Sequence, residues 1–301
     1  MTPSPPARRI GLFRIALILV ASGLSTSLPA AGQAVPPAET SQTDGSRREV
    51  RGQFGASVNN AGLQNTIEMS WSNPLSASQN PLLAGAHLSA GVVHVMTPAL
   101  TRIGAWAEYA PLSILTVRAG VEPGAYFGTF RSLMSFDAYT GPFDKASRDR
   151  RSGYKAGVGV RAYVTPAVQL RIGPVVGRLA GDFERWHSTA AGPLFYEPTR
   201  DTLLKASGDH LVNTTGVAMY QHDYAGGGHL AGGVIHNLTH VFRASGNRSE
   251  RLGAIAVREF ARPRLRLPHP RITMVVWRYL HDPSKRHQWG AALAVGFRTG
   301  R

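Results

Sequence analysis

Cysteine is absent from the 301-residue chain. That excludes a disulfide scaffold, a thiolate metal site, a cysteine nucleophile and a thiol-linked lipid anchor. Charge is scarce too: charged residues make up 17% of the chain, against about 25% in soluble domains. Acids are the scarcer half, 18 Asp and Glu against 33 Lys and Arg, for a formal charge of +15. Beyond the N-terminal segment no run approaches about 18 consecutive apolar residues, so helical membrane spans are excluded there. The 33 glycines and 20 prolines argue for many turns and against a long-helix protein. The chain is long enough to bury a sizeable core, as one large β domain or two smaller ones.

The first segment reads as an address. Arg8, Arg9 and Arg14 give a positive start, and Ile15 to Ala21 form an apolar centre. Gly32-Gln33-Ala34 fits the small-x-small cleavage rule. Residues 1–34 are therefore expected to be a secretory signal peptide, with an apolar core too short for a span of about 20 residues. Its removal takes three arginines and no acid, leaving +12. Residues 35–51 are polar and proline-containing, and are expected to be a flexible leader. Residues 52–301 would form the folded domain.

That domain alternates with period two. Tyr154, Ala156, Val158, Val160, Ala162 and Val164 oppose Lys155, Gly157, Gly159, Arg161 and Tyr163. Thr165-Pro166-Ala167 is read as a turn, after which Val168, Leu170 and Ile172 oppose Gln169, Arg171 and Gly173. Ile103, Ala105, Ala107 and Tyr109 oppose Arg102, Gly104, Trp106 and Glu108, and Val117, Ala119 and Val121 oppose Arg118, Gly120 and Glu122. The unit returns at Trp289, Ala291, Leu293, Val295 and Phe297. Further strands are expected near 63–72, 83–97, 200–206, 211–222, 229–242, 249–260 and 271–280, about 12 in all. Many would run longer than the usual 5–6 residues, and reach the ~9–11 that a tilted bilayer-crossing strand needs. Tight joins (110–113, 165–167, 207–210, 243–248) are expected to alternate with long ones (125–152, 179–199, 223–228, 261–270).

Over roughly residues 52–298 the chain resembles the bacterial outer-membrane β-barrel class. The resemblance rests on the expected signal peptide, strand length, apolar-out alternation and loop alternation. It implies an all-β fold, an antiparallel up-and-down transmembrane barrel of about 12 strands in the cell outer membrane, without naming an activity. Class members usually end on an aromatic residue; here Arg298-Thr299-Gly300-Arg301 follow Phe297. With the long loops outside, this strand count also leaves the C-terminus outside, so a strand is missing, within 52–62 or 260–270, or loop length misleads.

In such a barrel the polar face lines the lumen. Arg102, Glu108, Arg118, Glu122, Lys155, Arg161 and Arg171 are the expected lining, five of the seven basic. They could pair and plug the barrel, or leave a narrow anion-favouring path. Glu108 and Glu122, with Arg102 and Arg118 near, suit an ion-pair network better than acid–base catalysis. His87 and Ser89 share a strand face, and some outer-membrane lipid hydrolases and deacylases carry a similar His-x-Ser; such a site must face lipid, whereas here Leu88, Ala90 and Val92 take that face. A soluble periplasmic β-sandwich is the third reading. His236 and His240 would lie ~13 Å apart on a strand, too far for one metal ion. Gly226-Gly227-Gly228 lacks the Lys-Ser/Thr of a phosphate loop, and no cofactor is expected. Trp71, Trp106, Trp186, Trp277 and Trp289 are expected in interfacial girdles. The basic clusters Arg148, Arg150, Arg151 and Arg264, Arg266, Arg271 suit lipopolysaccharide headgroups better than nucleic acid. Expected partners are thus outer-membrane lipid, lipopolysaccharide and small anionic solutes.

Overall fold

The computed structural model describes residues 46–300, apart from 60–61, 130–132, 152–154, 226, 245–246 and 264–266. The segment 1–34, Tyr154, Gly226, Arg264 and Arg266 lie outside the described residues. Twelve strands close into an antiparallel barrel: β1 (Arg47–Val58), β2 (Gly62–Pro74), β3 (His87–Met96), β4 (Leu100–Leu112), β5 (Leu115–Tyr126), β7 (Gly157–Ile172), β8 (Val175–Ser188), β11 (Asp209–Asp223), β12 (His229–Val241), β13 (Arg248–Glu259), β14 (Arg271–His281) and β15 (Trp289–Gly300). Each pairs with its neighbour in chain order, and β1 closes on β15 from Glu49 opposite Gly300 to Val58 opposite Ala291. A closed single sheet replaces the sandwich alternative. A small sheet, β6 (Ser135–Phe136), β9 (Leu194–Glu197) and β10 (Thr202–Lys205), and one short helix, α1 (Lys145–Asp149), complete the described elements.

Alternation explains the wall. On β7 the even positions Val158, Val164, Val168, Leu170 and Ile172 are exposed, while Arg161, Tyr163, Thr165, Ala167 and Gln169 are buried inside. The outer surface carries Phe54, Leu63, Ile103, Val121, Leu179, Phe183, Val234, Met274 and Leu293, all well exposed. Trp71, Tyr109 and Tyr220 also face out, at the rim where β1 starts and β15 ends. Trp106, Trp186 and Trp277 do not join a girdle: they are buried inside, because each occupies an inward position of its strand.

Four readings change. β1 begins at Arg47, so residues 47–51 of the expected leader are barrel wall. Thr165-Pro166-Ala167 is not a turn: alternation keeps its parity through it, Pro166 sits opposite Val117, and the chain reverses at Gly173-Pro174 instead. Residues 175–188, read mostly as loop, are the strand β8. The 200–206 segment is extended at β10 but belongs to the small sheet rather than the wall. The strand count of 12 holds because β1 and β8 enter while β10 leaves and the two expected strands around 165–167 fuse into β7. Adding β1 brings the N-terminal end, and removing β10 the C-terminal end, to one rim, called here the terminal rim.

The opposite rim carries the two long insertions, 127–156 and 189–208, and their described residues fold into a cap. Met134, Phe136, Phe143, Leu194, Tyr196 and Leu203 form its own apolar core. Phe195 and Leu204 pack with Leu100, Tyr126, Trp186, Leu211 and Val241 of the wall. Burying such side chains stabilises by about 1.5–3 kcal/mol each, so the cap is anchored rather than draped.

Candidate functional site

The interior is filled in two distinct ways. Strands β11 to β15 turn Met219, Ile235, Ile255, Val257, Val275 and Trp277 inward as one buried apolar cluster. Strands β2 to β8 turn charge inward. Arg118 donates from Nη1 to Glu68 Oε2 at 3.0 Å and from Nε to Glu108 Oε2 at 3.1 Å. Arg161 donates to Glu122 Oε1 at 2.9 Å and to Glu184 Oε1 at 2.6 Å. Arg102 lies 3.4 Å from Glu122 Oε2. These groups are at most 7% exposed. A buried charge is tolerated only when paired, and here each carboxylate meets a guanidinium.

The guanidiniums also stack. Arg118 lies 3.6 Å above the Trp106 ring and Arg161 4.2 Å above Tyr163. Rings lying flat on the wall therefore form a floor for the ion pairs, combining ring attraction with charge-assisted hydrogen bonds.

The cap enters this network. Arg200 donates from Nε to Glu184 Oε2 at 3.1 Å, pairs with Glu184 Oε1, and lies 3.4 Å from Asp182 Oδ2. Glu197 Oε1 is 3.7 Å from Arg102 Nη1, and Glu197 accepts from the Tyr126 hydroxyl. Thr199 Oγ1 accepts from Arg102 Nη1 at 3.3 Å. Neighbouring loops hold the cap from outside: Asn247 Nδ2 donates to Leu203 O at 2.9 Å, and Lys285 pairs with Asp201. Tyr139, in the cap, donates to Asp209; burial and that carboxylate push its phenol up.

Of the seven expected lining residues, Arg102, Glu108, Arg118, Glu122 and Arg161 meet in this interior network. Arg171 sits at the terminal rim, partly exposed, donating to Gly173 O at 3.0 Å and to Asp223 Oδ2 at 3.3 Å. Lys155 is not in the lumen: it is exposed, ahead of β7, because the strand starts only at Gly157. Missing from the expectation were Glu68, Asp182, Glu184, Glu197 and Arg200. With them six acids face four arginines in this network, and the buried Arg178 adds a fifth cation, so the interior is not predominantly basic. Glu68 carried a signal, alternating with outward Ile67 and Met69. Asp182 and Glu184 alternate with outward Phe183 and Arg185, but in a segment read as loop.

His87 and Ser89 are both buried inside. Glu108, directly across from Ser89, supplies the nearby acid that spacing did not reveal. Yet His87 Nε2 faces Glu108 Oε1 at 3.2 Å and Nδ1 faces Gly85 O at 3.0 Å, so neither ring nitrogen is left to take a proton from Ser89. His236 and His240 lie on the outer face; His236 Nε2 is 3.0 Å from Glu250 Oε1, and the His240 ring meets Phe242 edge-on. No cluster of three metal-ligating acids or histidines occurs among the described residues. Arg148 is taken up by the cap, 4.1 Å over the Tyr196 ring, which removes it from the exposed basic cluster. Arg271 is the first residue of β14, not a loop residue.

No family model and no curated protein matches the chain. Among solved structures it is similar to the β domain of the Bordetella autotransporter BrkA, at 13% identity and TM-score 0.47 over 85% of this chain and 99% of that one. It is similar to the NanC porin, at 9% identity and TM-score 0.41 over 84% and 99%. It is also similar to OmpT, an outer-membrane protein of Vibrio cholerae, at 8% identity and TM-score 0.33 over 85% and 98%.

Proposed function

We propose that this chain is an outer-membrane barrel kept closed by its own cap, serving as a sealed structural or binding barrel rather than an open anion pore. Support for the membrane comes from the wall. Each large apolar side chain left in water forgoes about 1.5–3 kcal/mol, and a continuous apolar belt marks a lipid interface. Strands of 10 to 16 residues are long enough to cross. Even-stranded barrels of this kind keep both ends on the periplasmic side, which turns the capped rim outward.

One observation carries the closed state: Arg200 and Glu197 of the cap are buried among the wall charges, at 6% and 0% exposure. Arg102, Arg118, Arg161 and Arg200 are each bound to interior acids, so none of these four is free to line an anion path. The test is planar-bilayer conductance of the purified, refolded chain. Wild type should show no steady channel, and Glu197→Gln combined with Arg200→Ala should admit frequent openings by releasing the cap. A steady, anion-selective wild-type channel would overturn the closed reading and reinstate the pore.

A further inference from the structure

A trough of about 810 Å³ crosses the outer wall. Its course follows the strand register: Ala105 lies opposite Val121, Val121 opposite Ala162, Ala162 opposite Arg185, and Arg185 opposite His210. Phe242 then donates its backbone N–H to His210 O at 3.1 Å. This row climbs. Ala105 and Val121 sit well inside β4 and β5, whereas His210 is the second residue of β11 and Phe242 follows the last residue of β12. Because barrel strands tilt, a row across strands runs obliquely from mid-belt to rim. The low end is lined by Ala105, Ala107, Ala119 and Ala162, whose small side chains leave room between larger neighbours; the high end carries cations.

Among the described residues no acid pairs with those cations. Arg185, His210 and the neighbouring His187 and Arg243 are exposed. Arg185 makes no hydrogen bond or ion pair among the described residues. The acids nearest in sequence, Asp182, Glu184 and Asp209, are buried in the interior. A guanidinium at the head of an apolar channel suits a phosphate with an acyl chain behind it.

Resting on the membrane reading above, we propose that this trough is a lipopolysaccharide site, with a lipid A phosphate at Arg185 and His210 and an acyl chain along Ala105, Ala119 and Ala162. The capped rim, taken as outward, opens the trough to the leaflet that holds this lipid.

The test is native mass spectrometry of the full, detergent-folded chain titrated with lipid A, phosphatidylglycerol or phosphatidylcholine, each sample first checked for an SDS-gel mobility shift on boiling. Wild type should retain lipid A in preference to both phospholipids. Arg185→Gln with His210→Gln should weaken retention about tenfold or more, the scale of one lost charge-assisted hydrogen bond. Ala119→Leu with Ala162→Leu, which fills the trough from the lipid side, should weaken it while leaving the cations in place. Arg258→Gln, remote from the trough, should change nothing. A folded wild type that fails to hold lipid A, holds phosphatidylglycerol equally well, or is indifferent to both double variants would overturn the site and leave the membrane reading standing. A wild type with no mobility shift would take down both.

Discussion

At the scale of single residues the interior is built in layers: glycine, ring, guanidinium, carboxylate. A Cβ on Gly91 would come within 2.5 Å of the Trp106 ring, so glycine there is what lets the indole lie flat. Arg118 stacks on that indole and forks to Glu68 and Glu108. Removing its charge strands two buried carboxylates, a loss that costs about 3–5 kcal/mol. Arg118→Gln should therefore lower the unfolding free energy of the refolded barrel, read from urea titration, by that much, and Arg118→Lys should recover only part, since an ammonium neither stacks flat nor forks to both acids. This layering was half legible in the sequence. Alternation puts Arg102, Glu108, Arg118, Glu122 and Arg161 on one face wherever a strand is recognised. It cannot show which acid meets which base, because Glu68 lies 50 residues from Arg118 and Glu197 lies 95 from Arg102. The apolar interior cluster around Met219, Ile255 and Val275 was hidden for another reason: strands apolar on both faces lose the contrast that marks inside from outside.

At the scale of elements, most of the wall could be read because outward residues repeat every second position for a dozen residues. The failures have local causes. β1 hides because its residues Arg47 to Gly55 are charged, small or polar at nearly every second position of either face. Thr165-Pro166-Ala167 imitates a turn in composition, yet valines and leucines keep even numbers on both sides of it, a parity that a reversal would have no reason to preserve. The true reversal uses Gly173, at φ +57°, with open space where a Cβ would sit. Its constraint is conformational rather than steric. Gly173→Val should destabilise by about 1–2 kcal/mol, and Gly173→Asn by less, since Asn tolerates the left-handed region. Equal denaturant midpoints for the two variants would show that this turn is not held in that conformation.

For the whole molecule, the question is which rim faces out, and the cap makes the answer matter. The cap's apolar core and its buried charges occupy one rim, while both barrel ends share the other. If the capped rim faces the cell exterior, the seal stands against the medium and the periplasmic side keeps the short turns 113–114 and 173–174. The absence of cysteine allows a clean test, because any introduced thiol is the only one. Lys145, 84% exposed at its side chain in the cap, and Gln79, exposed in the 75–86 loop at the terminal rim, mark the two sides. Lys145→Cys should react with a membrane-impermeant maleimide on intact cells, and Gln79→Cys should react only after the outer membrane is permeabilised. The reverse pattern would place the cap in the periplasm and remove the outward-facing lipid trough with it. Labelling of both sites on intact cells would mean that the chain is released from the membrane rather than embedded in it.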